Sequence, residues 1–390
     1  MFTFVTCKQT HMYTHPLTNW FRSNFESSLE GRYITLTHID PLLKSLPLKF
    51  KLKEIGRSVL NRPIHSLTIG NGSKKILMWS QMHGNESTTT KAIFDLCNFL
   101  KQPTEASEAI LSNCTLCIIP MLNPDGSHAY TRLNANEIDL NRDAQTLSQP
   151  ESTVLKAVYE EFQPDYCFNL HGQRTMYSAG NVDKSSILSF LTPSEDQERS
   201  ITPSRQKSME IIVKMNEMLQ KIIPNHIGRY DDGFNINCVG DTFQSLGTPT
   251  VLFEAGHFPD DYKREKTREL IFYALIEAIQ YISSTEITGQ FTDAYFAIPE
   301  NAKQHYDVIL KNVKTDQDET FDLGIMYQEV LINEKIDFQP QIEDKKILKK
   351  SFGHKIIDFQ EAIAAKYIFQ SFSLQTEVAE YLRKFNKIDN

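Results

Sequence analysis

The sequence has few cysteines and no long hydrophobic run. Its six cysteines are spread over 390 residues, which excludes the dense disulfide framework of a small secreted domain. No stretch of about 18 apolar residues occurs, so we expect no transmembrane helix. The N-terminal residues lack a basic segment that leads into an apolar one. A signal peptide is therefore not predicted, and we expect a cytoplasmic location.

Basic residues are neither in excess nor clustered. The chain has 41 Lys and Arg residues against 49 Asp and Glu residues, which gives a net charge of -8. This balance argues against a nucleic-acid partner. A membrane segment is not expected either, so we predict neither a nucleic acid nor a membrane as a partner. The oligomeric state is left open.

Strand-like and helix-like segments alternate along most of the chain. Short apolar runs predict buried strands over residues 74–82, 113–122, 165–172 and 248–256. Segments with apolar residues at helical spacing lie between them, for example at residues 86–102. This alternation predicts an α/β fold in which helices cover both faces of a sheet.

The pattern changes after about residue 286. The C-terminal segment contains short strand-like runs that are separated by turn residues, and it ends in a helix-like segment. We therefore expect two domains. The first is an α/β domain over residues 1–285, and the second is a small β-rich domain with a terminal helix over residues 286–390.

Polar side chains follow or end four of the predicted strands. They are His83 and Glu86 after the first strand, Arg132, Asn141 and Arg142 beyond the second, His171 in the third and Glu254 in the fourth. The ends of strands in an open α/β sheet form the crevice where ligands bind. These side chains are therefore candidates for one functional site.

The residue types in this set suit hydrolytic metal chemistry. Two histidines and a glutamate can bind zinc and leave a fourth position for water. A second glutamate could act as the base for that water, and arginines could hold anionic oxygens. Each residue alone has an ordinary structural interpretation. H-x-x-E pairs such as His83 and Glu86 occur by chance, and the N-P-D-G segment at residues 123–126 is a good turn sequence. Their shared location at strand ends favours a site.

The order of the motifs resembles the zinc carboxypeptidase family, in its compact bacterial branch. The motifs are H-x-x-E, N-P-D-G, R…D-L-N-R, a strand-ending His and a strand-ending Glu, over roughly residues 50–284. The resemblance implies an α/β fold with a central mixed, mostly parallel sheet and the zinc at the edge of that sheet. It also implies that the first domain is the catalytic one.

The same resemblance implies roles for seven residues. They are His83, Glu86 and His171 as ligands of one zinc ion per chain, Glu254 as the general base, Arg132 as the group that polarises the scissile carbonyl, and Asn141 with Arg142 as the pair that binds the terminal carboxylate. The mobile tyrosine of the digestive members has no clear counterpart. Tyr230 is either its equivalent or a surface-loop residue.

We therefore expect a zinc-dependent metallocarboxypeptidase that hydrolyses the C-terminal peptide bond of peptides. The alternative is a zinc amidohydrolase that deacylates small N-acyl amino acids, as in the desuccinylase and aspartoacylase relatives. A non-catalytic binding protein on the same fold would be expected to lack a ligand or Glu254, and none is lost. The sequence leaves open whether the substrate is an ordinary peptide, a cell-wall peptide or an N-acyl amino acid.

Overall fold

The computed structural model describes residues 15–317, 319–359 and 373–385. Its first ten strands are β1 Lys51–Arg57, β2 Pro63–Gly70, β3 Lys74–Ser80, β4 Cys114–Ile119, β5 Tyr166–Gly172, β6 Tyr177–Ala179, β7 Leu188–Leu191, β8 Ile227–Arg229, β9 Thr250–Ala255 and β10 Asn301–Lys303. Eight of them form one sheet in the order β1-β2-β4-β3-β5-β9-β7-β8, while β6 and β10 pair as a separate ribbon.

The centre of the large sheet is parallel. The neighbouring strands β4, β3, β5 and β9 all run in the same direction, whereas β1, β2 and β7 join by antiparallel pairs. The carboxyl ends of the four central strands therefore meet at one edge of the sheet. This mixed, mostly parallel sheet confirms the predicted architecture.

Helices cover both faces of this sheet, as expected. They are α1 Thr18–Asn24, α2 Leu36–Ser45, α3 Thr88–Lys101, α4 Glu105–Asn113, α5 Pro124–Ala129, α6 Pro150–Phe162, α7 Pro203–Leu219, α8 Val239–Ser245, α9 Glu265–Ser284 and α10 Thr292–Phe296. In β3, Ile76 and Met78 belong to a large core with residues of α3, α7 and α9. Leu77 and Trp79 belong to a smaller core with residues of α6 and α8. Successive side chains of a strand point to opposite faces, which explains why β3 is a continuous apolar run.

Buried charged side chains connect α3 to α9. The Arg268 guanidinium donates two hydrogen bonds, of 2.6 and 2.7 Å, to the buried Asp95 carboxylate. The Lys91 ammonium lies 2.5 Å from Glu265. Burial lowers the pKa of Lys91 to about 8 although Glu265 opposes the shift. Buried charges in such pairs fix one packing arrangement, since breaking a pair leaves an uncompensated charge.

The C-terminal segment forms a second sheet. Its strands are β11 His305–Lys314, β12 Thr320–Ile332, β13 Lys335–Lys346 and β14 Phe352–Asp358, in the order β13-β12-β11-β14, and the helix α11 Leu374–Phe385 packs on it. Asn333 and Glu334 join β12 to β13 with φ angles of 49 and 62°, which is the conformation of a tight two-residue hairpin turn. Strands were expected here, but β12 and β13 are long rather than short.

Residues between α9 and the second sheet pack with the α/β part. Tyr295 and Ile298 are buried in the large core, and β10 pairs with β6. The separate sheet therefore begins at β11. The division into domains of residues 1–285 and 286–390 stays a prediction.

Within the described ranges, no helix combines the length and the apolar character that crossing a bilayer requires. The five described cysteines form no disulfide. The expectation about a signal peptide concerns mainly residues 1–14, which lie outside the described residues.

Candidate metal centre

The predicted ligands lie together at the carboxyl edge of the sheet. His83 and Glu86 belong to the turn between β3 and α3, and His171 belongs to β5. His171 also stands beside Glu254 in the parallel register of β5 and β9. The topology therefore gathers four residues that are far apart in sequence.

The side chains of His83, Glu86 and His171 converge on one point. The Nδ1 atoms of the two histidines are 3.1 Å apart, and they lie 2.9 and 3.0 Å from the carboxylate oxygens of Glu86. The three side chains are 3%, 12% and 2% exposed. Among the described residues, no second group of three His, Cys, Asp or Glu residues approaches in this way.

The arrangement fits a zinc ion. Two imidazole nitrogens and a carboxylate are a zinc ligand set that leaves one position open. The second ring nitrogen of His83, Nε2, lies 3.2 Å from the Asp139 carboxylate. Ligand histidines commonly hold a carboxylate with their other nitrogen, which fixes the tautomer and the ring orientation.

The charges in the cluster depend on one another. Burial alone would raise the pKa of Glu86, but His83 and His171 outweigh burial and hold it well below its usual range. Burial likewise opposes the charge of His83, but Glu86 and Asp139 raise its pKa above the ordinary value. Burial lowers the pKa of His171. Glu86 therefore favours the ionised carboxylate and His171 the neutral imidazole, which are the forms that bind a cation, whereas His83 would release a proton on binding one.

Asp139 is the site residue that the sequence reasoning missed. Besides holding His83, its carboxylate accepts hydrogen bonds from the Asn141 backbone N–H at 2.9 Å and from Arg132 Nε at 3.1 Å. His83 and Arg132 keep its pKa low against the opposing effect of burial. Its position in D-L-N-R, two residues before Asn141, was the available signal.

Arg132 lies beside the predicted ligands His83 and Glu86. Its Nη1 atom is 3.2 Å from His83 Nδ1 and 3.5 Å from Glu86 Oε1. Its side chain is 45% exposed, so the guanidinium can be reached from solvent. The structure brings Arg132 to the ligands, and its role stays a prediction.

Asn141 and Arg142 lie in a short 3₁₀ turn, Leu140–Arg142, which Asp139 caps. The buried Asn141 side chain accepts a hydrogen bond of 3.0 Å from the backbone N–H of Val239, at the start of α8. The exposed Arg142 contacts the Asn141 carbonyl at 2.7 Å and Cys238 Sγ at 3.1 Å through Nη1. The turn thus presents Arg142 to solvent, while Asp139 connects it to the ligand cluster.

Glu254 is a half-buried carboxyl group on β9 beside His171, and its role as general base stays a prediction. Its Oε2 atom is buried and has no hydrogen-bond partner in the described part of the chain. Burial, followed by the nearby Glu86 carboxylate, raises its pKa well above the ordinary value. Carboxyl groups with strongly shifted pKa values in a cleft are candidates for proton transfer.

Tyr230 is half-buried at the start of the loop that follows β8. Burial, followed by the Glu254 carboxylate, raises the pKa of its hydroxyl, and Tyr177 adds to the shift. The rings of Tyr230 and Tyr177 have centroids 5.3 Å apart. The sequence left its location undecided because a tyrosine in a glycine-containing loop has no distinguishing pattern.

Comparison with known proteins agrees with the motifs. Residues 35–199 match the family model described as "Zinc carboxypeptidase". The chain is 27% identical over 101 residues to carboxypeptidase 2 of Trichophyton rubrum, which is 25% of this chain and 19% of that protein. It is 39% identical over 80 residues to gamma-D-glutamyl-L-diamino acid endopeptidase 1 of Lysinibacillus sphaericus, which is 18% of this chain and 20% of that protein. The matches thus span about a fifth of the length of these relatives.

A solved structure shares the fold. A metallo-carboxypeptidase from Burkholderia cenocepacia aligns with 63% of this chain and 68% of its own, with a TM-score of 0.51 and 18% sequence identity. The segment that matches the family model contains His83, Glu86 and His171, together with the predicted arginines, and it ends before Glu254. Residues 35–199 are therefore similar to the zinc carboxypeptidase family both in their motifs and by the family model that they match.

Proposed function

We propose that the protein is a zinc-dependent metallocarboxypeptidase that hydrolyses the C-terminal peptide bond of peptides. The observation that carries the proposal is the convergence of His83, Glu86 and His171 on one point of the sheet edge. The buried Oε2 atom of Glu254, on the strand next to His171, has no hydrogen-bond partner among the residues that the structure describes, and this adds support. We further propose that each chain binds one zinc ion through these three ligands.

The chain's own residues would divide the chemistry among them. A zinc ion held by His83, Glu86 and His171 would supply polarisation of the scissile carbonyl and would lower the pKa of water to near neutral. Glu254 would take the proton of the attacking water and later give it to the leaving amine. The Arg132 guanidinium would donate hydrogen bonds to the carbonyl oxygen as negative charge develops there. Asp139 would hold both His83 and Arg132 in orientation.

Arg142 and Asn141 would select the end of the peptide. A guanidinium presents a planar fork of donors that matches a carboxylate with two parallel hydrogen bonds. Only the last residue of a peptide has a free main-chain carboxylate, so an anchor for this group restricts cleavage to the terminal bond. The exposure of Arg142, in the turn that Asp139 connects to the ligand cluster, supports this role.

Deacylation of N-acyl amino acids is not favoured as the alternative, because the family model and the matched relatives carry peptidase names. The side-chain preference is open. Since one matched relative is named a gamma-D-glutamyl-L-diamino acid endopeptidase, cell-wall peptides belong in a substrate panel. A cytoplasmic location is part of the proposal.

The proposal is tested with two peptides that differ only at the C-terminus, one a free acid and one an amide. We expect release of the last residue from the free acid alone. Replacing Arg142 by Ala should raise KM for the free acid by roughly 10–100-fold, because a hydrogen-bonded charge contributes about 1.5–3 kcal/mol. Arg57→Ala is the matched control, since Arg57 pairs with Glu54 in β1. Mass spectrometry of the products measures both outcomes.

Two results would contradict the proposal. Efficient cleavage of the amidated peptide would mean that the terminal carboxylate is not recognised. Hydrolysis of N-acyl amino acids much faster than of any tripeptide would transfer the assignment to the deacylase alternative.

A further inference from the structure

A carboxylate of the C-terminal sheet reaches the segments that carry the predicted site. Glu329 in β12 pairs with the Arg32 guanidinium, with Nη1 and Oε1 3.0 Å apart. The Tyr130 hydroxyl donates a hydrogen bond to the other carboxylate oxygen of Glu329. The side chains of Arg32 and Glu329 are only 10% and 25% exposed. The contact is therefore shielded from solvent, where such pairs are stronger than at a surface.

The contact of Glu329 with Tyr130 lies close to Arg132 along the chain. Tyr130 ends α5 in the left-handed conformation, with φ 57°, and it stands two residues before Arg132. Between them, the Thr131 carbonyl accepts a hydrogen bond of 3.2 Å from the backbone N–H of Asn85, within the H-x-x-E turn. A non-glycine residue rarely adopts this conformation unless its surroundings hold it there. The bond to Glu329 is part of that hold.

Arg32 also contacts the turn that carries the predicted ligands His83 and Glu86. The Arg32 carbonyl accepts a hydrogen bond of 2.5 Å from the hydroxyl of Ser87, the residue that follows Glu86 and precedes α3. Burial opposes the charge of the Arg32 guanidinium, but Glu329 outweighs burial and raises its pKa. Removing the Glu329 carboxylate would leave a buried guanidinium without its partner, so the segment around Arg32 would shift.

We propose that Glu329 is a positioning residue of the active centre. Through Glu329, the C-terminal sheet holds residues 130–132 in place against the turn that carries His83 and Glu86. The inference rests on the proposed carboxypeptidase function for its kinetic consequence, but not for its structural one. This sheet also contacts the α/β part through Tyr262, whose ring packs on Tyr327 and Phe338 and whose hydroxyl donates a hydrogen bond to Asp307. Glu329 differs from these contacts because it reaches the segment that leads to Arg132.

The kinetic test uses the zinc-loaded full chain and a free-acid peptide. Glu329→Ala should lower kcat by about 10–100-fold, since misplacing a catalytic group by about 1 Å costs up to that much. KM and zinc content should stay near those of the wild type. In the Arg132→Ala background the same change should cost less than about 2-fold, because coupled residues are not additive. Tyr130→Phe and Glu329→Gln should give smaller losses of the same kind.

The structural test does not depend on turnover. Hydrogen exchange measured by mass spectrometry should become faster in the peptides that cover residues 83–90 and 126–134 of Glu329→Ala. Glu319→Gln is the matched control, because Glu319 pairs with Lys345 on the exposed side of the same sheet. In that control both exchange and kcat should equal the wild type.

The outcomes separate the two proposals. A wild type that lacks peptidase activity refutes the proposed function, and the exchange result alone then decides the position of Glu329. Unchanged exchange in both peptides overturns the inference. Equal losses of kcat in the wild-type and Arg132→Ala backgrounds overturn it as well, because Glu329 would then act on general stability. If Glu329→Ala does not fold, Tyr130→Phe and Glu329→Gln decide by the same criteria.

Discussion

At the scale of single residues, the charge of Glu254 depends on what surrounds it. Burial and the Glu86 carboxylate raise its pKa, while Arg132 and Arg264 act in the opposite direction. A cation held by His83, Glu86 and His171 would favour the ionised form, since bound metal ions are the largest local charges in such sites. The carboxylate would then be able to accept a proton from water.

Replacing Glu254 by Gln should leave the fold and the zinc content intact and remove nearly all turnover. The amide has almost the same shape but cannot take a proton, and general base catalysis contributes roughly 10²–10⁴-fold in rate. Steady-state kinetics with zinc analysis of the same samples measures the effect. Glu198→Gln, at an exposed position, is the control. A kcat near that of the wild type would exclude Glu254 from the mechanism.

Asp139 gives a second prediction at this scale. Asp139→Asn should weaken zinc binding by about 10–100-fold, the usual effect of losing the carboxylate behind a ligand histidine. Competition with a chelator measures the affinity. Unchanged affinity would show that the contact with His83 Nε2 does not orient the ring.

At the scale of elements, local pattern predicted the strands that carry the site and missed several others. The strands β3, β4, β5 and β9 are buried on both faces, so they appear as continuous apolar runs. The strands β7 and β8 have only four and three residues, too few for a periodicity to appear. The helix α4 was missed although Thr104 caps it through Ser107. The order of the strands decides which residues are neighbours across the sheet. Local sequence patterns do not determine this order.

The turn between β3 and α3 depends on Gly84. A Cβ atom at Gly84 would lie 1.9 Å from the Gly126 carbonyl carbon and 2.1 Å from the Ser127 nitrogen, so the turn and α5 touch through backbone. Gly84→Ala should displace His83 and Glu86, lower zinc content and destabilise the fold by about 1–3 kcal/mol, as overpacking does.

Thermal unfolding and zinc analysis measure both effects of Gly84→Ala. Gly233→Ala is the control, because the nearest atom to an added Cβ there, in Arg199, is 3.5 Å away. A Gly84→Ala protein with normal zinc content and normal Tm would show that the turn tolerates the shift.

At the scale of the whole molecule, the proposed zinc joins parts that the chain brings together from distant positions. Two ligands come from the end of β3 and one comes from β5, so bound metal would stabilise the sheet edge that the fold creates. A ligand that binds only the folded state at about 100 times its dissociation constant adds about 2.7 kcal/mol of stability. Chelation should therefore lower the Tm of the wild type, and added zinc should restore it.

The zinc content of purified protein tests the central claim most directly. Elemental analysis should find one zinc ion per chain in the wild type. It should find almost none in the double variant His83→Ala/His171→Ala, in which only Glu86 remains of the three ligands. Stoichiometric zinc in a folded double variant would contradict the account, because the metal would then be bound by other residues.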